Sequence, residues 1–384
     1  MDVWASEEQA QIAEAVGGIA AEFGHEYFVG CARSGTAATE LWDAVAEGGF
    51  VGVSIPAEYG GGGMGIAELA VVIESLAAQG CPLLMLVVSP AICGSILARH
   101  GSESQREQWL PDLAAGRRKL AFAITEPDAG SNSHQLSVTA ARVDGGWRLK
   151  GTKYYISGVD ESDAILVVAR SSVDEQSGRG RLSLFLVPTE SEGLDRAEIP
   201  VELVTPEKQF TLSFDDVVVG DDALVGVEDQ GLRAVFDGLN PERITAAAIS
   251  NGIGRYALEK AAGYAREREV WDVPIGSHQG VAHPLAEAYI ELQQARLMTM
   301  HAAARFDAGQ DAGEAANIAK FAAAEASLCA LDRAIQTHGS NGLSQEFGLA
   351  DLWFVARLLR TAPVSREMIL NFVAQHSLGL PRSY

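Results

Sequence analysis

The segment AITEPDAGSNS, residues 123 to 133, follows an apolar run and combines a proline, a glycine and small polar side chains. Such a turn can offer backbone N–H groups and hydroxyls to a polar ligand because nothing bulky shields them. The same residue types also build a plain β-turn. Downstream, LKGTKYYISG sets Tyr155 two positions before Ser157. On a strand that spacing puts both on one face, a ring to stack and a hydroxyl to hydrogen-bond. Two other patterns carry less. YGGGGMG, Tyr59 to Gly65, contains a G-x-G-x-x-G match, but a dinucleotide fingerprint needs a strand directly before it and a βαβ unit around it. With Pro56, Ala57 and Glu58 intervening, the run is expected to be a loop leading into a helix. His278 and His283 stand five apart, off the i, i+4 spacing of two ligands on one helix face, and neither HExxH nor GxSxG occurs. Metal and serine-hydrolase chemistry are therefore not expected.

The elements that must hold these residues fall into three blocks. From Ser6 to about Leu113 apolar residues recur at helical spacing, as in IAELAVVIESLAAQ. Between Lys119 and Val225 the texture becomes short alternating stretches, AILVVAR and RLSLFLVP among them, separated by turn residues. Ala-rich helical patterns then run to Ala374, with DAGQDAG (307–313) as a turn between helices. The expected division is 1–117 helical, 118–226 β and 227–384 helical. That order argues against a doubly wound parallel sheet, in which strand and helix alternate throughout. The chain of 384 residues carries 51 acidic and 29 basic residues, a formal net charge of −22, which disfavours nucleic acid and anionic lipid as partners. Cys31, Cys81, Cys93 and Cys329 form no CxxC pair, so neither a zinc site nor a disulfide framework is indicated and a cytoplasmic setting is expected. MDVWASEEQAQ lacks the basic and apolar regions of a signal peptide. PLLMLVVSPAICGSILA (82–98) is short for a membrane span and contains Pro90, so it is expected to be a buried helix.

PAEYGGGGMG, GSESQREQWLPDLAAG, AITEPDAGSN, LKGTKYYISG, NPERITAA, YAREREVWDVPIGSHQGVAHPLAE and AIQTHGSNGL follow one another in an order and spacing that resembles the acyl-CoA dehydrogenase family. The resemblance runs nearly end to end. It implies an α+β multidomain fold: an N-terminal α-helical domain, a middle β-barrel or sandwich domain and a C-terminal four-helix bundle. It further implies FAD as cofactor, lined by Phe122, Ile124, Thr125, Gly130 and Ser131 and completed by Tyr155 and Ser157, with Ser131 also facing the substrate. Relatives usually carry Trp and Thr at Tyr155 and Ser157, changes that keep a stacking face and a hydroxyl, and Asp at Asn132. Arg268, Trp271, Gln279, Gln336, Gly339 and Ser340 fall on positions that in relatives hold the FAD of a neighbouring subunit. This implies an oligomer, a homotetramer built as a dimer of dimers. An Arg suits pyrophosphate because its planar fork donates two parallel hydrogen bonds, although Arg268 by itself also reads as a solvated helix charge. Ser365 and Glu367 match positions at the adenine end.

By the same resemblance the reaction is dehydrogenation of an acyl-CoA thioester to the trans-2-enoyl-CoA, with electrons passed to an electron-transfer flavoprotein. It needs a carboxylate at the α-carbon. Many relatives place it in a late YEGT motif, where this chain has Pro363 within RTAPVSREMI. Isovaleryl and long-chain members carry it instead in a helical ER pair, which here is Glu242 and Arg243 of NPERI. Glu242 is thus the implied base, and Arg243 the implied neighbour of the CoA. With Pro241 suited to a first helical turn, Glu242 also reads as an N-terminal acid stabilised by the helix dipole. Relatives complete an oxyanion site with the backbone N–H at the late glutamate position. Proline has none, so the Val364 amide must substitute or that donor is missing. Pro363 also leaves open a flavin-binding, catalytically weak subunit paired with an active one, or other flavin chemistry, beside a non-enzymatic scaffold.

Overall fold

A computed structural model describes residues 6–132 and 135–382. Ser133 of the polar turn and the first five residues of the N-terminal segment lie outside that range. The first unit comprises helices α1 (Glu7–Ser34), α2 (Thr39–Glu47), α3 (Ile66–Ala78), α4 (Ser95–His100) and α5 (Glu103–Ala114). Ser6 opens α1 with a capping box, its hydroxyl accepting from the Gln9 N–H while the Gln9 side chain accepts from the Ser6 N–H. α3 is buried on nearly every side. Before α4 the chain makes a buried π-helical stretch, Val87–Gly94, that accommodates Pro90. The apolar run 82–98 is therefore an interior segment, and among the described residues no helix is long and apolar enough to cross a membrane. The glycine run has no strand before it and ends at Gly65, the N-cap of α3.

Strands β1 (Leu120–Ala123), β2 (Thr139–Val143), β3 (Gly146–Ser157), β4 (Ala164–Val173), β5 (Gly180–Pro188), β6 (Leu194–Ile199), β7 (Gln209–Gly220) and β8 (Leu224–Val225) form one sheet. Its order is β6-β7-β3-β2-β4-β5-β8, with β1 pairing parallel to β4. Alternation along β4 serves two cores. Ala164, Leu166 and Val168 pack towards the helices, while Ile165, Val167 and Ala169 join Trp147, Phe185 and Val217 inside the β-unit. Trp147 of β3 and Phe185 of β5 meet edge-on with ring centroids 5.0 Å apart, although β2 and β4 lie between their strands. Three strand spacings on a flat sheet would span about 14 Å, so this sheet curls over its own core.

The third unit runs through α6 (Gly231–Glu267), the hairpin β9 (Glu269–Val270) and β10 (Val273–Pro274), α7 (Gln279–Asp307), α8 (Gly313–His338), α9 (Trp353–Leu358) and α10 (Arg366–Phe372). Three long helices and the shorter α10 make up the bundle, and DAGQDAG separates α7 from α8 as anticipated. The bundle is locked to the first unit by charge as well as by apolar packing. Asp307 at the end of α7 accepts from the Ile66 N–H at 2.8 Å and the Ala67 N–H at 3.0 Å, satisfying the free donors at the start of α3. Glu74 of α3 accepts from Arg255 Nη1 at 2.9 Å and Arg296 Nε at 2.6 Å, on α6 and α7.

One expectation is corrected. Pro241 does not open a helix; α6 starts at Gly231 and Pro241 lies inside it. Proline is tolerated there because the preceding turns bury Ala234, Val235 and Gly238, and the absent side chain at Gly238 lets α6 approach Ile92 and Ile96. Glu242 is accordingly an interior helix residue, and since dipole effects fade within the first turn, the N-terminal acid reading falls away.

Where α3 crosses α6, a Cβ at Gly252 would lie 2.4 Å from Ala77 Cβ and 2.5 Å from the Glu74 carbonyl oxygen. Helix propensity alone would have Gly252→Ala stabilise α6 by about 1 kcal/mol. Overpacking is expected to win, giving a net loss of about 1–3 kcal/mol in chemical denaturation. A Gly252→Ala protein more stable than the native chain would show that the helices can part at no cost.

Candidate active site

β1 delivers the polar turn and β3 receives it. Phe122 is buried on β1, Ile124 and Thr125 follow at the strand end, and the Tyr154 N–H of β3 donates to the Thr125 carbonyl at 2.9 Å. Under this junction lies an ion pair that motif reading passed over. Lys153 Nζ donates to Glu126 Oε1 at 2.8 Å and to the Ile124 carbonyl at 2.9 Å, with side-chain exposures of 0% for Lys153 and 2% for Glu126. Glu126 also accepts from the Ser137 N–H and hydroxyl, both at 2.6 Å, and from the Val138 N–H at 3.0 Å. Burial brings the Lys153 ammonium down to about 8 against the pull of Glu126. Burial would raise the Glu126 carboxyl, but the Lys153 charge and the donors from Lys153 and Ser137 hold it below its usual value. The sequence did carry a signal: Trp147, Leu149 and Lys153 share the inward parity of β3, and a lysine in that row requires a partner.

Above the pair the turn is open. Gly130, Ser131 and Asn132 are exposed, and a Cβ at Gly130 would meet nothing within 4 Å. Tyr155 adopts φ 56° at an irregularity in the β3–β7 ladder between Lys153 and Ile156, leaving its ring 52% exposed and edge-on to Tyr154 at 4.4 Å. The simple alternation assumed for Tyr155 and Ser157 is therefore broken by a bulge. Ser157 Oγ donates to Gln209 Oε1 of β7 at 3.0 Å, so its lone pairs remain for a ligand while Gln209 fixes its direction.

The carboxylate side is built from helices. Glu242 and Arg243 lie on α6, opposite Lys320 of α8. Glu242 is partly exposed, yet loss of water around it raises its carboxyl to about 7, opposed by the charges of Arg243 and Lys320. The residue is thus reached by solvent while its carboxyl is largely surrounded by protein. Among the described residues no donor binds its carboxyl oxygens. Arg243 donates from Nη1 to Asn240 Oδ1 at 2.9 Å and, among the described residues, leaves Nε buried without a partner. Pro363 follows a cis Ala362–Pro363 bond, and the next carbonyl, of Val364, accepts from Lys320 Nζ at 2.6 Å. Ser365 caps α10, accepting from the Met368 N–H at 3.3 Å, and Glu367 is exposed.

The remaining residues occupy the opposite end of the bundle. Arg268 caps α6, about 39 Å from Glu242 at 1.5 Å per helical residue, too far for both to touch one reacting group in a single chain. Trp271 and Asp272 form the tip of the β9–β10 hairpin with φ 55° and 60°, and Trp271 is 83% exposed. Gln279 begins α7, while Gln336, Gly339 and Ser340 lie at the end of α8. Tyr264 and His338 stack at 4.3 Å and Asn341 Nδ2 donates to Tyr264 Oη at 3.2 Å, which brings the ends of α6 and α8 together. His278 and His283 are separate exposed residues, and among the described residues no cluster fit for a metal ion occurs.

Profiles for the acyl-CoA dehydrogenase N-terminal, middle and C-terminal domains match residues 6–117, 121–217 and 229–378. Acyl-CoA dehydrogenase FadE12 of Mycobacterium tuberculosis is 52% identical over 381 residues, covering 99% of this chain and 98% of that protein. A glutaryl-coenzyme A dehydrogenase solved with glutaryl-CoA superposes with TM-score 0.93 at 28% identity, covering 100% of this chain and 98% of the other. The Mycobacterium smegmatis glutaryl-CoA dehydrogenase in complex with FADH2 gives TM-score 0.92 at 25% identity, with 99% and 96% covered.

Lys153→Met strands a buried carboxylate and is expected to lower stability by about 3–5 kcal/mol in chemical denaturation. Adding Glu126→Gln removes the unpaired charge and is expected to restore part of the loss. Equal losses in the single and double variants would contradict the pairing.

Proposed function

Because the chain belongs to the acyl-CoA dehydrogenase family, a family of oxidoreductases, we infer that it binds FAD and removes the α and β hydrogens of an acyl-CoA thioester, giving the trans-2-enoyl-CoA. The observation that carries this reading is the desolvated carboxyl of Glu242, without a donor among the described residues and influenced by two cations, Arg243 and Lys320. A proton-abstracting base works best with its pKa near the operating pH, and burial brings this carboxyl to about 7.

FAD fits the residues at the β end. An open polar turn, an exposed ring lifted by the bulge and a hydroxyl aimed by Gln209 offer donors and a stacking face without steric obstruction. Phe122, Ile124, Thr125, Gly130, Ser131, Tyr155 and Ser157 would line it, with Ser131 and Arg243 towards the CoA thioester. FAD, when bound, would supply the acceptor for the β-hydrogen and its electron pair. Glu242 would take the α-proton, and Arg243 and Lys320 favour its ionised form. The developing charge on the thioester oxygen needs donors; Pro363 supplies none, which leaves the Val364 N–H as the backbone candidate in that segment.

Distance within one chain supports an oligomer. Arg268 lies far along α6 from Glu242, and Trp271, Gln279, Gln336, Gly339 and Ser340 share its end of the bundle, so these six would hold the FAD of a second copy, while Ser365 and Glu367 would touch the adenine end of the cofactor. Exposed Tyr289, Ile290 and Leu297 on α7 supply apolar surface for such contact. A homotetramer is the assembly we favour. An electron-transfer flavoprotein would reoxidise the cofactor, and a cytoplasmic setting agrees with four unpaired cysteines. Pro363 favours one second reading, a weak flavoprotein subunit paired with an active relative. It predicts co-purification of a second dehydrogenase chain and no reaction by this chain alone.

Purified protein is expected to be yellow and to bleach anaerobically with one of butyryl-, isovaleryl-, octanoyl- or palmitoyl-CoA. Glu242→Gln is expected to slow bleaching by ~10²- to 10⁴-fold. Because the base acts only when ionised, the free enzyme's rate is expected to rise as pH increases through about 7 and to fall below it. Bleaching by the Glu242→Gln protein at the native rate would remove Glu242 from the reaction.

A further inference from the structure

Lys320 sits near the start of α8 with 1% of its surface exposed, an unusual place for an ammonium group. Among the described residues its hydrogen-bond acceptor is the Val364 carbonyl, at 2.6 Å. Five positions along the same helix, Glu325 Oε1 accepts from Arg360 Nε at 2.7 Å and Arg366 Nε at 2.9 Å. The turn 360–366 is thus gripped at both ends by one carboxylate and drawn inward at its centre by one ammonium. We propose that Lys320 is a positioning residue for proton abstraction, anchoring the Val364 backbone to α8 while presenting its charge to Glu242. The inference rests on Glu242 being the base.

The charged groups facing Lys320 are Arg243 and Glu242 from α6, Glu325 from its own helix and Glu367 from α10. Burial brings its ammonium down to about 8, Arg243 pushes the same way, and the three carboxylates oppose. Near neutral pH Lys320 is therefore largely charged. A cation beside a carboxylate favours ionisation, the form in which a base can accept a proton. When a thioester enters and displaces water, the carboxylate loses solvation, and a fixed ammonium needs no rearrangement to compensate. The grip on Val364 links this effect to the segment that carries the candidate oxyanion N–H.

Lys320→Met removes the charge and the hydrogen bond while retaining an apolar stem. In FAD-replete protein, anaerobic bleaching by the best acyl-CoA of the panel above is expected to lose its low-pH activity. The acid limb should move up by about one pH unit, a tenfold slower rate well below it, with recovery towards higher pH. Lys320→Arg keeps the charge and should leave the limb near its native position. A second readout is independent of turnover: the infrared carboxyl band abolished by Glu242→Gln should titrate at higher pH in the Lys320→Met protein. An unmoved limb and an unmoved band in folded Lys320→Met protein would overturn the proposal. If that variant does not fold, a Lys320→Arg protein whose limb moves up by a full unit would overturn it instead. Should Glu242→Gln bleach normally, the base assignment itself fails; should it abolish bleaching while Lys320→Met leaves limb and band in place, only the role of Lys320 fails.

Discussion

The polar turn after β1 hangs on the ion pair between Lys153 and Glu126. A chain leaving β1 at Ala123 would otherwise be loosely held, with the Tyr154–Thr125 backbone bond joining it to β3 near the exit. Glu126 gathers donors from Lys153, Ser137 and Val138, so one carboxylate ties the turn to β3 and to the segment entering β2. Taking two charges out of water costs several kcal/mol, largely offsetting their attraction, so the pair contributes position more than net stability. The exposed Gly130 and Ser131 can stay open to a ligand because the anchoring is done underneath them.

The opposite wall follows another logic. Among the described residues Glu242 lacks donors that would lower its pKa, whereas Glu126 has several, and the two carboxyls shift in opposite directions. One is a structural anion and the other a base in our reading, distinguished by hydrogen bonding rather than by burial alone. In the reading proposed above, the β side takes the planar cofactor and the helical side the thioester.

Sequence periodicity revealed the helix, sheet and helix order, because long amphipathic patterns and alternating strands report directly on which face is buried. The motifs located the polar turn and Glu242. Lys153 and Lys320 were less visible: each is a polar residue at a core position, and its partner, Glu126 or the Val364 carbonyl, lies on another element. Pro241 misled for a different reason, since its local preference for a helix start was overridden by packing of the preceding turns against Ile92 and Ile96. The bulge at Tyr155 was hidden because a left-handed tyrosine is set by sheet pairing, not by its neighbours in sequence.

The bond from Asp307 to the start of α3 has a consequence for how the molecule is born. α3 is coated with apolar side chains, and its cap belongs to a helix made far later. At ribosomal speeds of about 5–20 residues per second, the roughly 240 intervening residues take on the order of tens of seconds to emerge. During that interval the face of α3 that meets α6 and α7 in the finished protein stays bare, with α1 alone against the helix on its other side.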